Sequence, residues 1–185
     1  MAIVSNSIAI LMLIVVLVVF VIIALTSFAH LFMGVPYVPT PMRVVRAMIA
    51  AGHVKPGQTV LDLGAGDARL LIETARTVPG IKGIGFEGAL GIWFLGKLRI
   101  WWAGLPIQFV RKNFFSQDFS SADVVFTYLS VAVMKKLYPK FLAELKPGAR
   151  VVTHAFRLPV EAVPTEIIDV QMQMGGATKV YAYVF

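Results

Sequence analysis

Asp62-Leu63-Gly64-Ala65-Gly66-Asp67 follows directly on the apolar run Thr59-Val60-Leu61. A strand that ends in Asp-x-Gly-x-Gly and runs into a helix lets bare backbone approach a nucleotide-like ligand. A dinucleotide fingerprint needs a third glycine, in the pattern G-x-G-x-x-G. Arg69 stands at that place. The missing glycine and the acids at both ends argue against a pyrophosphate. They suit a ligand that carries a positive amino group and no phosphate, the chemistry of S-adenosylmethionine. Glu87 lies 25 residues beyond Asp62, at the end of the next expected strand. A carboxylate there can accept both hydroxyls of a ribose. Asp67 either caps the following helix or faces the ligand. Asp62 and the Gly64, Ala65 and Gly66 backbone are expected to face the ligand's amino-acid end.

These residues need a scaffold, and the chain supplies alternating elements. Strands are expected at 59–63, 82–86, 107–111, 123–128, 150–155, 165–171 and 178–185. Helices are expected at 41–51, 68–77, 89–103 and 131–145. Thr40-Pro41 reads as an N-cap with proline at the first helical position. Gly175-Gly176 marks a hairpin between the last two strands. Alternation implies an α/β fold with a mostly parallel sheet covered on both faces. Seven strands with a closing antiparallel hairpin describe the Rossmann-like sheet of class I S-adenosylmethionine-dependent methyltransferases. Ligands of such sheets sit at the carboxyl ends of the strands, near the switch in strand order. Asp62, Glu87, Asn113 and Tyr128 all fall at or just past such ends.

The N-terminus has a different composition. Ile8 to Leu25 is an unbroken apolar run of 18 residues. At 1.5 Å per residue it is long enough for one transmembrane helix. A cleaved signal peptide would have a basic leader and a shorter apolar core. No Asp, Glu, Lys or Arg precedes Arg43. Arg43 and Arg46 close to the span then favour a catalytic domain on the cytoplasmic side. The expected organisation is a membrane anchor at 1–33, a proline-rich connector at 34–40 and one domain at 41–185.

All 17 Lys and Arg and all 10 Asp and Glu lie in that domain, so the net charge of +7 is its own. The preferred reading of that charge is solubility and positive-inside bias, with attraction to anionic headgroups or to nucleic acid as the alternative. The chain has no cysteine, which excludes disulfides, thiolate metal sites and a cysteine nucleophile. No metal is expected. Trp93, Trp101 and Trp102 share one helix with Lys97 and Arg99. That helix either buries its apolar face in the core or lies in a membrane interface, the core being the preferred reading.

The chain resembles the small membrane-anchored protein lysine methyltransferases. These include the mitochondrial enzymes acting on the ATP synthase and on the adenine nucleotide translocator, and their prokaryotic relatives. The resemblance spans Val35 to Pro159. Its carriers are Pro36-Tyr37-Val38-Pro39-Thr40, Val60 to Arg69, Gly85-Phe86-Glu87, Leu98-Arg99, Trp101-Trp102-Ala103-Gly104, Tyr128-Leu129, Leu145 to Val152 and Thr153-His154-Ala155-Phe156. Ala68 departs from the more usual glycine, and Gly88-Ala89 from longer or polar side chains.

The resemblance implies an S-adenosylmethionine-dependent lysine N-methyltransferase that releases S-adenosylhomocysteine. It implies Tyr37 and Thr40 in a lid over the cofactor and Asn113 reading the adenine. Tyr128 is expected to line a lysine channel. His154 is expected to accept a proton or orient the amine, or to be a satisfied core histidine. Phe126 and Phe156 are expected to pack in the core. The partners implied are a protein with an accessible lysine and the bilayer, with nucleic acid disfavoured. Base-amine methyltransferases carry Asn-Pro-Pro-Tyr or Asp-Pro-Pro-Tyr where this chain has Thr127-Tyr128-Leu129-Ser130. Methylation of a lipid or quinone headgroup, or a non-catalytic scaffold role, is the alternative.

Overall fold

The computed structural model describes residues 2–33, 38–173 and 175–185. Its elements run α1 (Ala2–Met33), α2 (Met42–Gly52), β1 (Thr59–Leu63), α3 (Arg69–Thr77), β2 (Lys82–Phe86), α4 (Leu90–Ala103) and β3 (Gln108–Val110). A short 3₁₀ turn (Phe114–Ser116) follows, then β4 (Val124–Thr127), α5 (Val131–Glu144), β5 (Arg150–His154), β6 (Glu166–Gln171) and β7 (Ala177–Val184). The strands form a single sheet in the order β3-β2-β1-β4-β5-β7-β6. β1 to β5 pair in parallel, and β7 runs antiparallel to both β5 and β6. This is the expected seven-stranded sheet with its closing hairpin.

The sheet forms because its central strands are apolar on both faces, as strands covered by helices on each side must be. Successive side chains alternate between two cores. Val60, Val124, Phe126 and Val152 join α2 and α3 in one. Leu61, Val125 and Val151 join Met134, Leu137 and Phe141 of α5 in the other. Phe126 is fully buried, as expected. Phe156 is not: it is 38% exposed and stacks parallel to Tyr128, ring centres 6.1 Å apart.

The chain crosses between β1 and β4, where strand order reverses. That reversal opens a crevice at the carboxyl ends.

Two helix starts differ from expectation. α2 begins at Met42 with Pro41 in the cap position, and Thr40 forms no side-chain cap. The carbonyl of Thr40 accepts instead from Arg69 Nη1 at 2.9 Å, which holds the segment extended for one residue more. α3 begins after Ala68, which adopts a left-handed φ of 62° and stands in the cap position in place of Asp67. The departure from glycine at Ala68 thus falls on a conformation that glycine adopts without strain.

α4 is seated by a glycine. A Cβ built at Gly96 would lie 2.5 Å from the Phe109 ring and 3.2 Å from the Gly66 carbonyl oxygen. Only Gly96 and Ile100 of this helix are buried. A narrow strip of the helix therefore enters the core, as the preferred reading has it, and the rest faces outward. Gly96→Ala is expected to lower the thermal midpoint. Overpacking of about 1–3 kcal/mol outweighs the roughly 1 kcal/mol gain in helix propensity. A thermal melt at or above wild type would show that α4 is not positioned by this close approach.

Candidate functional site

A cavity of about 370 Å³ opens over the carboxyl ends of β1 and β4. Its walls come from the segment before α2, the glycine turn and the ends of β2, β3 and β4. Val38, Pro39 and Thr40 close one side, and Asp62, Gly64, Ala65, Gly66 and Asp67 form the floor. Glu87, Asn113 and Tyr128 complete it. Tyr37, expected in the lid, lies outside the described residues.

The glycine turn is held from behind. The amides of Gly64 and Ala65 both donate to the Phe86 carbonyl at 2.9 Å. The Gly66 amide donates to Glu87 Oε2 at 3.0 Å, and Ala89 donates to Oε1 at 2.8 Å. A phosphate cradle needs such amides turned toward the ligand. Here they bond to the end of β2, so the turn offers no pyrophosphate site. Gly64 has φ +74°, and a Cβ there would lie 2.9 Å from Leu129. Each Glu87 oxygen accepts one amide, and a carboxylate oxygen has lone pairs for more than one bond. Glu87 is therefore oriented, and it lines the cavity.

Three carboxylates crowd this end of the sheet, and the protein treats them differently. Asp67 is 3% exposed and bound in bidentate fashion by Arg69 Nε and Nη2, each at 2.8 Å. Arg99 Nη1, from α4, reaches the same carboxylate. Burial works to raise the pKa of Asp67, but the hydrogen bonds and charge of Arg69, then the charge of Arg99, outweigh it and hold it low. Asp67 lines the cavity as an ion-paired strut. Through Arg69 it also ties the turn to the Thr40 carbonyl.

Asp62 receives no such support. It is 5% exposed and has no hydrogen-bond partner among the described residues. Burial first, then the charges of Glu87 and Asp67, push its pKa up to about 8. A buried carboxyl with no cation of its own is a ready partner for a cationic ligand group.

The remaining expected residues divide. Asn113 lines the cavity, but its Oδ1 accepts from the Phe115 amide at 3.0 Å and caps the 3₁₀ turn. Its amide –NH₂ remains the group able to read a base edge. Tyr128 lines the cavity, whereas His154 does not. The His154 ring packs behind Tyr128, ring centres 4.2 Å apart. His154 Nε2 lies 3.0 Å from Thr178 Oγ1, and Nδ1 is buried with no partner among the described residues. Burial lowers its pKa to about 4, so the ring is neutral at physiological pH.

Sequence reasoning missed Arg69, Lys112, Phe114, Phe115, Leu129 and Val133, which also line the cavity. The adjacent Phe114 and Phe115 just past Asn113 were the available signal.

Asp62 makes a test on stability. Its unfolded pKa lies near 3.8 and its folded value near 8. Between those values the unfolded chain is ionised while the folded chain keeps its proton. Stability therefore falls as pH rises through that window and levels above it. Asp62→Asn removes this loss. Its melting temperature is expected to rise relative to wild type from pH 4 toward pH 8 and then run parallel. A difference that does not change with pH would show that Asp62 is not a buried, unpaired carboxyl.

Comparison with known proteins agrees with this geometry. The family profile described as the ANTKMT methyltransferase domain matches residues 62–165. A protein-lysine N-methyltransferase of Saccharolobus islandicus (strain REY15A) is 38% identical over 152 residues, 81% of this chain and 93% of the relative. The adenine nucleotide translocase lysine N-methyltransferase of Mus musculus is 29% identical over 152 residues, 80% of this chain and 62% of the relative. Among solved structures, a Salinibacter ruber protein described as an RNA methyltransferase, in complex with S-adenosyl-L-homocysteine, superposes with a TM-score of 0.73. It is 33% identical, covering 80% of this chain and 93% of that one.

Proposed function

Since the chain belongs to the ANTKMT methyltransferase domain family, we propose that it is a membrane-anchored, S-adenosylmethionine-dependent protein-lysine N-methyltransferase. The observation that carries the cofactor side is the pairing of Asp62 with Glu87 over a turn whose amides bond backward. Asp62 supplies a buried negative group for the cofactor's ammonium. Glu87 supplies oriented acceptors for ribose hydroxyls, and Asn113 a donor for the adenine edge. Val38 to Thr40 close the cavity from above, with Tyr37 beside them in sequence. When bound, S-adenosylmethionine would supply a sulfonium-activated methyl group for in-line attack by a neutral amine, with S-adenosylhomocysteine as the leaving group.

The protein's part in that reaction is alignment and dehydration. A free lysine has a pKa of about 10.4. Tyr128, Leu129, Val133, Phe114 and Phe115 give the cavity an aromatic and aliphatic side. An amine entering there loses water, and its pKa falls toward the neutral form. Tyr128 lines the lysine channel, and His154, neutral and packed behind it, holds its ring in place. The role of His154 is thus positioning.

The anchor is α1. Ser7–Ala24 is long and apolar enough to cross a bilayer, and every residue in it is exposed. Arg43 and Arg46 beyond the span favour a cytoplasmic catalytic domain. Tethering favours substrates at or in the same membrane by raising their effective concentration.

Two outcomes check this reading. Glu87→Gln keeps an acceptor for a backbone amide but loses the negative charge. It is expected to weaken S-adenosylhomocysteine binding roughly 10- to 100-fold by calorimetry with the far-UV circular dichroism unchanged. Gly64→Arg is expected to abolish binding, since Leu129 occupies the space. Wild-type affinity in both variants would remove the site.

For the substrate, the full-length protein is given methyl-labelled S-adenosylmethionine and host membranes, and proteins, lipids and RNA are separated. Label is expected in protein, recovered as methyllysine on hydrolysis. Label in lipid would replace this reading with a headgroup enzyme. Label in RNA would align the chain with the substrate class given for the Salinibacter protein.

A further inference from the structure

The outer surface of α4 is unusual for a helix on the face of an α/β sheet. Leu90, Phe94, Leu95, Leu98, Trp101 and Trp102 are all exposed, the two tryptophans by 76% and 82%. At about 100° per residue these six occupy one continuous arc of roughly 140°. Soluble surfaces scatter single apolar residues and seldom expose an adjacent pair of tryptophans. The opposite arc is committed to the protein. Gly96 and Ile100 are buried, and Trp93 Nε1 donates to the Phe109 carbonyl at 3.4 Å. Lys97 borders the apolar arc on one side and Arg99 on the other.

We propose that α4 is a second membrane contact: it lies in the headgroup region of the bilayer with its apolar arc among the acyl chains. This rests on the reading of α1 as a membrane anchor. Three observations favour lipid as the occupant. The apolar helix α1 packs beside α4 and still leaves both tryptophans exposed, so α1 is not what covers them. Trp and Leu on one arc with basic residues at its borders is the composition of an interfacial helix. The domain carries a net charge of +7, which draws it to anionic headgroups.

The consequence reaches the site. Arg99 of α4 grips Asp67 beside the glycine turn, and Gly96 lies against the Gly66 carbonyl. An α4 fixed at the interface therefore sets the height and tilt of the cavity above the bilayer. Lysines close to the membrane surface are then favoured over those on distant soluble domains.

The chain holds its own probe, because all three tryptophans lie in α4. Full-length protein is mixed with phosphatidylcholine–phosphatidylglycerol vesicles whose acyl chains are brominated near the headgroup end. Tryptophan emission is expected to fall by roughly half, with weaker quenching when the bromines sit near the chain ends. Trp101→Phe/Trp102→Phe is expected to lose most of that quenching while still floating with the vesicles. Flotation without lipid quenching, with iodide quenching instead, would overturn the α4 contact and leave the anchor standing. Protection from both quenchers would show that another protein surface covers the arc, which also overturns it. Failure to float would overturn the anchor and the α4 contact together.

Discussion

Two adjacent acceptors at the end of β2 organise the ligand end of this sheet. The Phe86 carbonyl takes the amides of Gly64 and Ala65, and the Glu87 carboxylate takes that of Gly66. The glycine turn leaves β1 and must reverse at once into α3. Its amides would otherwise be buried without partners, a loss of about 1–3 kcal/mol each. Binding them backward shapes the turn, orients Glu87 and sets the chemistry of the cavity floor. The amides of Gly64, Ala65 and Gly66 are thus spent inside the protein, and the floor carries the carboxylates of Asp62 and Asp67. That chemistry favours cationic and hydroxyl-bearing ligands over a diphosphate.

The acids on that floor form a graded set. Asp67 is neutralised by two arginines and stays charged; it serves as a strut between the turn, α4 and, through Arg69, the Thr40 backbone. Asp62 is left without a counter-ion and holds its proton near neutrality. An electrostatic deficit maintained in the folded state is a common property of binding sites. A cationic ligand that enters relieves it.

The same arginines link regions that chain distance separates. Arg69 joins the α3 start to Thr40, just after the connector from α1. Arg99 joins α4 to the glycine turn. Of the two helices with exposed apolar surfaces, α4 is thus tied directly to the glycine turn.

The elements, and the gathering of the candidate residues at the carboxyl ends of the strands, are legible in the amino-acid order alone. Each core strand was legible because β-branched runs bounded by glycine, proline and charge admit few alternatives. Observed ends differ from expected ones by about a residue. The placement of Asp62, Gly64, Gly66, Glu87, Asn113 and Tyr128 at strand ends followed from that alone. Tertiary structure decided what those residues bond to. Nothing local shows that Arg69 and Arg99 converge on Asp67, or that His154 stands behind Tyr128 and away from the cavity. Those relations depend on strand order and on how deeply α4 sinks, which a glycine at 96 allows and Phe109 limits. Exposure of the Trp101 and Trp102 arc is of the same kind. Periodicity identifies an apolar face, but only packing shows which face the sheet has left uncovered.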